Sequence, residues 1–148
     1  MGLVELIKIG IQMIMNIEKY SSFFHDGSIF EISHFKNNVI VSMGSAEVDK
    51  EDMEDSIVLS VDDRIRGKLH LEGVKSIKEN AQPYAGILKM KYADAEIFHF
   101  EMHQGSVEFQ IKWGSYPPKS CIEDFSTIEI KAEKIWWENI PDLEYNGS

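Results

Sequence analysis

Residues 97–113, IFHFEMHQGSVEFQIKW, alternate in polarity on both sides of Gln104-Gly105. Phe98, Phe100 and Met102 interleave with His99, Glu101 and His103; Val107, Phe109, Ile111 and Trp113 interleave with Glu108, Gln110 and Lys112. Side chains of a strand point to opposite faces in turn, so a period of two over both arms, with Gly at the turn, predicts a β-hairpin with one dry face. A two-residue loop pairs Met102 with Val107, Phe100 with Phe109 and Phe98 with Ile111. The same register sets Glu101 opposite Glu108.

This period recurs along the chain. It predicts strands over Ile29–Phe35, Val39–Met43, Ile57–Val61, Ile65–Leu71, Tyr84–Tyr92 and Thr127–Trp137. Gly73 marks a bulge or tight turn where the apolar phase shifts, and a second bulge is expected near Glu133 or Lys134. The resulting fold class is all-β: an antiparallel sandwich or open barrel of about eight or nine short strands. Residues 49–55 have room for one short helical turn. The N-terminal segment, residues 1–19, reads as strand or as helix, because Ile7, Ile9, Ile11, Met13, Met15 and Ile17 alternate while Glu5, Lys8, Gln12, Asn16 and Lys19 form a helical stripe. Residues 20–141 are expected to form one β domain, residues 1–14 an extension that it does not need, and residues 142–148 a frayed tail.

The formal net charge is −10 and the pI about 4.9. That balance argues against nucleic-acid binding, which needs clustered cations against phosphate. The lone Cys121 excludes an internal disulfide and suits a reducing cytosol. Cys121 has no evident base partner and reads as a packed or idle thiol rather than a nucleophile. Glu5, Lys8 and Gln12 interrupt the N-terminal apolar stretch, which fits neither a signal peptide nor a membrane span. The expectation is a cytoplasmic protein with no membrane partner.

Four constellations invite a functional reading. His99, Glu101 and His103 share one strand face, with Glu108 across from Glu101; this array suits zinc or a similar metal, and equally suits a solvated sheet face. His25, Asp26 and Ser28 look like a triad, but neighbours on one strand diverge; an Asp26-Gly27 turn, with Gly27 at positive φ, is the plainer account, and otherwise His25 and Asp26 sit at the rim of a binding site. Between Glu47 and Asp63, eight acidic side chains, among them Glu47, Asp49, Glu51, Asp52, Glu54 and Asp55, face only Lys50. The segment lacks the Gly and ligand spacing of a calcium loop, so it reads as a solvated loop or as a face that steers a basic partner. Aromatic candidates for recognition are Trp113 and Tyr116, beside Pro117-Pro118, in a loop that equally suits packing over the end of a sheet, and the adjacent pair Trp136 and Trp137, of which a strand turns one outward unless a bulge or twist buries both. No phosphate loop, nucleophile elbow, H-E-x-x-H or C-x-x-C motif occurs.

FFHDGSI followed by two strands ending in Ser-Ala-Glu, together with the closing FSTIEIKAEKIWWENIP, resembles small bacterial β-rich proteins that open on an F-H-D-x-x-I motif. Proteins of this appearance are grouped with the immunity proteins of polymorphic toxin systems. The resemblance spans Tyr20 to Pro141, matches at Phe24, His25, Asp26 and Ile29, and carries no catalytic residue. Together with the acidic segment, an outward Trp and the missing catalytic motifs, it leads to the expectation of a non-enzymatic protein without cofactor that occludes a basic partner such as a toxin. The alternatives are a metal-binding module or metal-dependent enzyme on the His-x-Glu-x-His face, and a structural protein that self-associates as a homodimer through strand edges and the N-terminal segment.

Overall fold

The structure, a computed structural model, describes residues 11–15, 17–53, 57–114 and 123–143. Its strands are β1 (Gln12–Ile14), β2 (Ser28–Phe35), β3 (Asn38–Glu47), β4 (Arg64–Glu79), β5 (Gln82–Pro83), β6 (Asp94–His103), β7 (Ser106–Gly114) and β8 (Glu123–Asn139). Short 3-10 helices cover Glu18–Phe24 and Lys50–Asp52. Every ladder is antiparallel. The order β8-β7-β6-β2-β3-β4 returns to β8, because β4 also pairs with β8. The sheet therefore closes on itself as an antiparallel barrel, which leaves these six strands no full-length open edge. β1 runs along the C-terminal part of β8, and β5 folds back on the end of β4.

Two features set the closure. β4 and β8 pair from Gly67↔Asn139 to Glu79↔Ile128 and form its long wall. At Gly67 a Cβ atom would lie 2.0 Å from the Glu138 carbonyl oxygen, so only glycine admits the approach. The opposite seam is sparse: β2 meets β6 only at Ser28↔Glu96 and Ile29↔Ala95. Reciprocal bonds extend it, from the Asp26 N–H to the Ile97 carbonyl and from the Ile97 N–H to the Gly27 carbonyl.

The interior is filled by Val41, Met43, Ile65, Leu69, Leu71, Ile97, Phe109, Ile111, Trp113, Ile130 and Trp137, all essentially without solvent exposure. Phe24 enters from the first 3-10 helix and meets Phe100 and Trp137 edge-on at 5.4 and 5.5 Å. Each large apolar side chain so buried contributes about 1.5–3 kcal/mol. Several polar atoms inside are paired: Trp113 donates its indole N–H to Ser126 Oγ, Ser126 donates to Glu79, and Ser45 Oγ accepts the Ile65 N–H, whereas the buried indole N–H of Trp136 has no partner among the described residues.

The hairpin register holds at Met102↔Val107, Phe100↔Phe109 and Glu101↔Glu108. Beyond Phe100 it shifts: a bulge between Ile97 and His99 leaves Phe98 unpaired, and Ile97 takes the place expected of Phe98 opposite Ile111. Two expected strands are absent. Residues 57–61 form no strand: their backbone N–H bonds go to Gln12, Arg64 and Asp142 rather than to a ladder. Residues 84–92 form a loop in which Leu88 is the buried anchor, its N–H bonded to His34 Nδ1. Gly73 has the expected irregular backbone (φ +66°), facing the Glu133 side chain. The register break, however, lies in β4 between Val74 and Ser76, and β8 runs through Glu133 and Lys134 unbroken. At the N-terminus Gln12–Ile14 is strand and Ile17 is buried; residues 1–10 lie outside the described residues.

Candidate functional site

The loop joining β3 to β4 begins where the β3–β4 register shifts between Gly44 and Glu47. Val48 is buried and ties the loop down, its N–H bonded to the Asp63 carbonyl. Asp49 then caps the short helix by accepting the Glu51 N–H at 3.0 Å. Lys50 pairs with Asp63 at 3.5 Å, and Arg64 pairs with Asp62 at 3.2 Å while also donating to the Ser45 carbonyl. Those contacts neutralise Asp62 and Asp63. Glu47, Glu51 and Asp52 stay exposed and form no ion pair among the described residues. Together Glu47, Val48, Asp49, Lys50, Glu51 and Asp63 line an open depression. Carboxylates gathered on one short loop add their fields and attract a cationic surface. Glu54 and Asp55 lie outside the described residues.

The outer face of the β6–β7 hairpin gathers the second set. Glu101 takes an imidazole on each side: His99 Nε2 lies 3.3 Å from Oε2, and His103 Nε2 lies 2.9 Å from Oε1. Glu108 stands directly opposite Glu101, and Glu129 of β8 directly opposite Glu108. One donor atom from each of His99, Glu101 and Glu108 lies within 4.8 Å of the others, so three of the four expected ligands converge.

The aromatic expectations divide. Trp113 and Trp137 are 1% and 0% exposed and belong to the core, so neither is a contact residue. Parity explains it: both share a face with buried neighbours, Ile111 and Asn139. Trp136 points outward, yet His70 lies flat over it at 4.0 Å, held in turn by Glu138 at 2.9 Å from its Nε2. Tyr116 and Cys121 lie outside the described residues. His25 and Asp26 are exposed, 3.8 Å apart, with His25 Nδ1 against the Phe98 carbonyl. Their turn is real, but the positive φ belongs to Asp26 (+66°), not to Gly27. Gly27 is needed for space, since a Cβ there would lie 2.2 Å from the Gly44 carbonyl oxygen.

One surface feature was not anticipated. A bulge between Ile29 and Glu31 turns Phe30 outward, where its ring covers Gly44 and meets the Arg66 guanidinium at 4.8 Å. Gly44 inside a strand was the available signal, since strand glycines mark a close approach. Elsewhere, Lys91 of the 84–93 loop reaches Asp124 of β8 at 2.7 Å. That hydrogen bond holds the Asp124 carboxyl below the usual aspartate value and lifts the Lys91 ammonium above its own.

The chain matches no protein-family model, no curated protein and no solved structure. Among the described residues no helix is long and apolar enough to cross a membrane.

Proposed function

We propose that this protein is a non-enzymatic binding protein whose acidic β3–β4 loop docks against a basic protein surface. The supporting observation is the trio Glu47, Glu51 and Asp52, exposed and without an ion pair among the described residues, while Asp62 and Asp63 beside them are neutralised internally. Unpaired charges at a surface raise the association rate of an oppositely charged partner and lose that effect as salt rises. The barrel interior is occupied by side chains, so recognition falls to the outer surface and its loops. With the resemblance of the FFHDGSI opening to immunity proteins, the reading is of an inhibitor that occludes the phosphate-binding surface of a nuclease-type toxin, its carboxylates standing where phosphates would.

Immunity proteins of such systems are encoded beside their toxins, which makes the product of the adjacent reading frame the probe. The triple variant Glu47→Gln, Glu51→Gln, Asp52→Asn is compared with the parent chain across a salt series. The expected result is association weakened about tenfold or more at low salt, with a shallower salt dependence. Equal affinity and equal salt dependence in both chains, or no association of the parent chain, overturns the reading.

A further inference from the structure

We propose that the outer face of the β6–β7 hairpin binds a divalent transition-metal ion of the zinc class, with His99, Glu101 and Glu108 as ligands. The reading is independent of the acidic loop and uses none of its residues.

The backbone fixes the ligand set. Glu101 and Glu108 are direct cross-strand partners, which places two carboxylates side by side. Like charges so placed disfavour the sheet unless a cation lies between them. Glu108 is flanked on both sides by carboxylates, Glu101 on β6 and Glu129 on β8. Glu129 differs, because Lys78 of β4 is its partner on the far side and Lys131 follows two residues along its own strand. The carboxylate pair that His99 joins is therefore Glu101 and Glu108, while Glu129 is set beside lysines.

The regular part of the hairpin supplies the nitrogen donor. His99 lies opposite Gln110 in the same register as the Glu101–Glu108 pair, two residues along the same face, with Nε2 3.3 Å from Glu101 Oε2. One donor atom from each of the three residues lies within 4.8 Å of the other two. Zinc binds nitrogen and carboxylate oxygen at about 2.0–2.2 Å, which requires donors roughly 3.5 Å apart around a tetrahedral ion. Small rotations of the two glutamate side chains close that difference. His103 acts as a positioning residue: its Nε2 holds the second oxygen of Glu101 at 2.9 Å and leaves Oε2 to face His99.

One imidazole and two carboxylates form a borderline donor set, suited to zinc, cobalt or manganese. Calcium is disfavoured, since it takes six to eight oxygens. His99 and Glu101 are about half exposed, at 47% and 43%, so water completes the coordination sphere.

The test is calorimetric titration of the full chain with zinc chloride, repeated with cobalt chloride and followed by visible absorbance. The parent chain is expected to bind one ion, with cobalt giving the intense bands of a low-coordinate site. Glu108→Gln and His99→Asn, confirmed as folded by circular dichroism, are expected to lower the affinity about tenfold or more. Glu51→Gln, in the acidic loop, is expected to bind as the parent does. No binding by the parent chain, or equal affinity in the parent and both hairpin variants, overturns the proposal. Either result leaves the docking reading of the acidic loop standing.

Discussion

Asn139 accepts the indole N–H of Trp137 at 3.0 Å, and neither side chain has any solvent exposure. The Asn139 amide also donates to Gln12 Oε1 at 3.1 Å and to the Val58 carbonyl at 2.9 Å, while Gln12 Oε1 accepts the Val58 N–H. One buried amide thus joins β1, β8 and the segment around Val58.

Replacing Asn139 by Ala strands the Trp137 indole N–H and removes two further bonds. Each buried polar group left unsatisfied costs about 1–3 kcal/mol. Asn139→Ala is therefore expected to destabilise the protein by about 3 kcal/mol. Urea unfolding checks this, with a lower midpoint at an unchanged slope.

Gly67 and Gly86 separate a packing role from a backbone one. A Cβ at Gly67 meets the Glu138 carbonyl oxygen at 2.0 Å, whereas at Gly86, with φ at +93°, it meets nothing within 4 Å. Gly67→Ala has to push β4 and β8 apart and is expected to cost about 3 kcal/mol. Gly86→Ala carries only backbone strain, about 1 kcal/mol. Thermal melts of the two variants, run together, are expected to rank them in that order.

The Lys91–Asp124 contact fastens the loop before β6 to β8 and makes it pH-dependent. Its hydrogen bond lowers the folded-state carboxyl of Asp124, so that contribution is complete above the ordinary aspartate range and is lost as pH falls through the lowered value. Lys91 is raised, so its contribution holds below the ordinary lysine range and is lost as pH rises through the raised value. Lys91→Gln is expected to return the Asp124 titration, followed by carboxyl NMR, to the ordinary aspartate range. An Asp124 titration that stays low in the variant removes Lys91 as its cause.

Much of this was legible in period two, because a strand with one dry face sorts its residues by parity. Hence the hairpin register from Phe100 to Phe109, and the opposition of Glu101 and Glu108, follow from residues 97–113 alone. Parity fails where the backbone adds a residue: the bulge at Phe98 moves Ile97 inward, and no local signal marks it. It also cannot separate a strand from a loop that alternates by chance, as Tyr84–Tyr92 does around Pro83 and Gly86. Barrel closure joins β4 to β8 across half the chain, and pattern within a segment carries no information about such partners. Trp137 and Asn139 were readable in principle. They share parity, and a polar residue in step with a buried Trp marks an internal hydrogen bond.

The acidic β3–β4 loop as a docking surface is tested most directly by amide chemical-shift mapping of the labelled protein, titrated with the basic product of the adjacent reading frame. The largest shifts are expected at Glu47, Val48, Asp49, Lys50, Glu51, Asp52 and Asp63, and they are expected to shrink as salt is raised. Shifts confined to the β6–β7 hairpin or to the β2–β6 seam, with the loop unmoved, contradict the account.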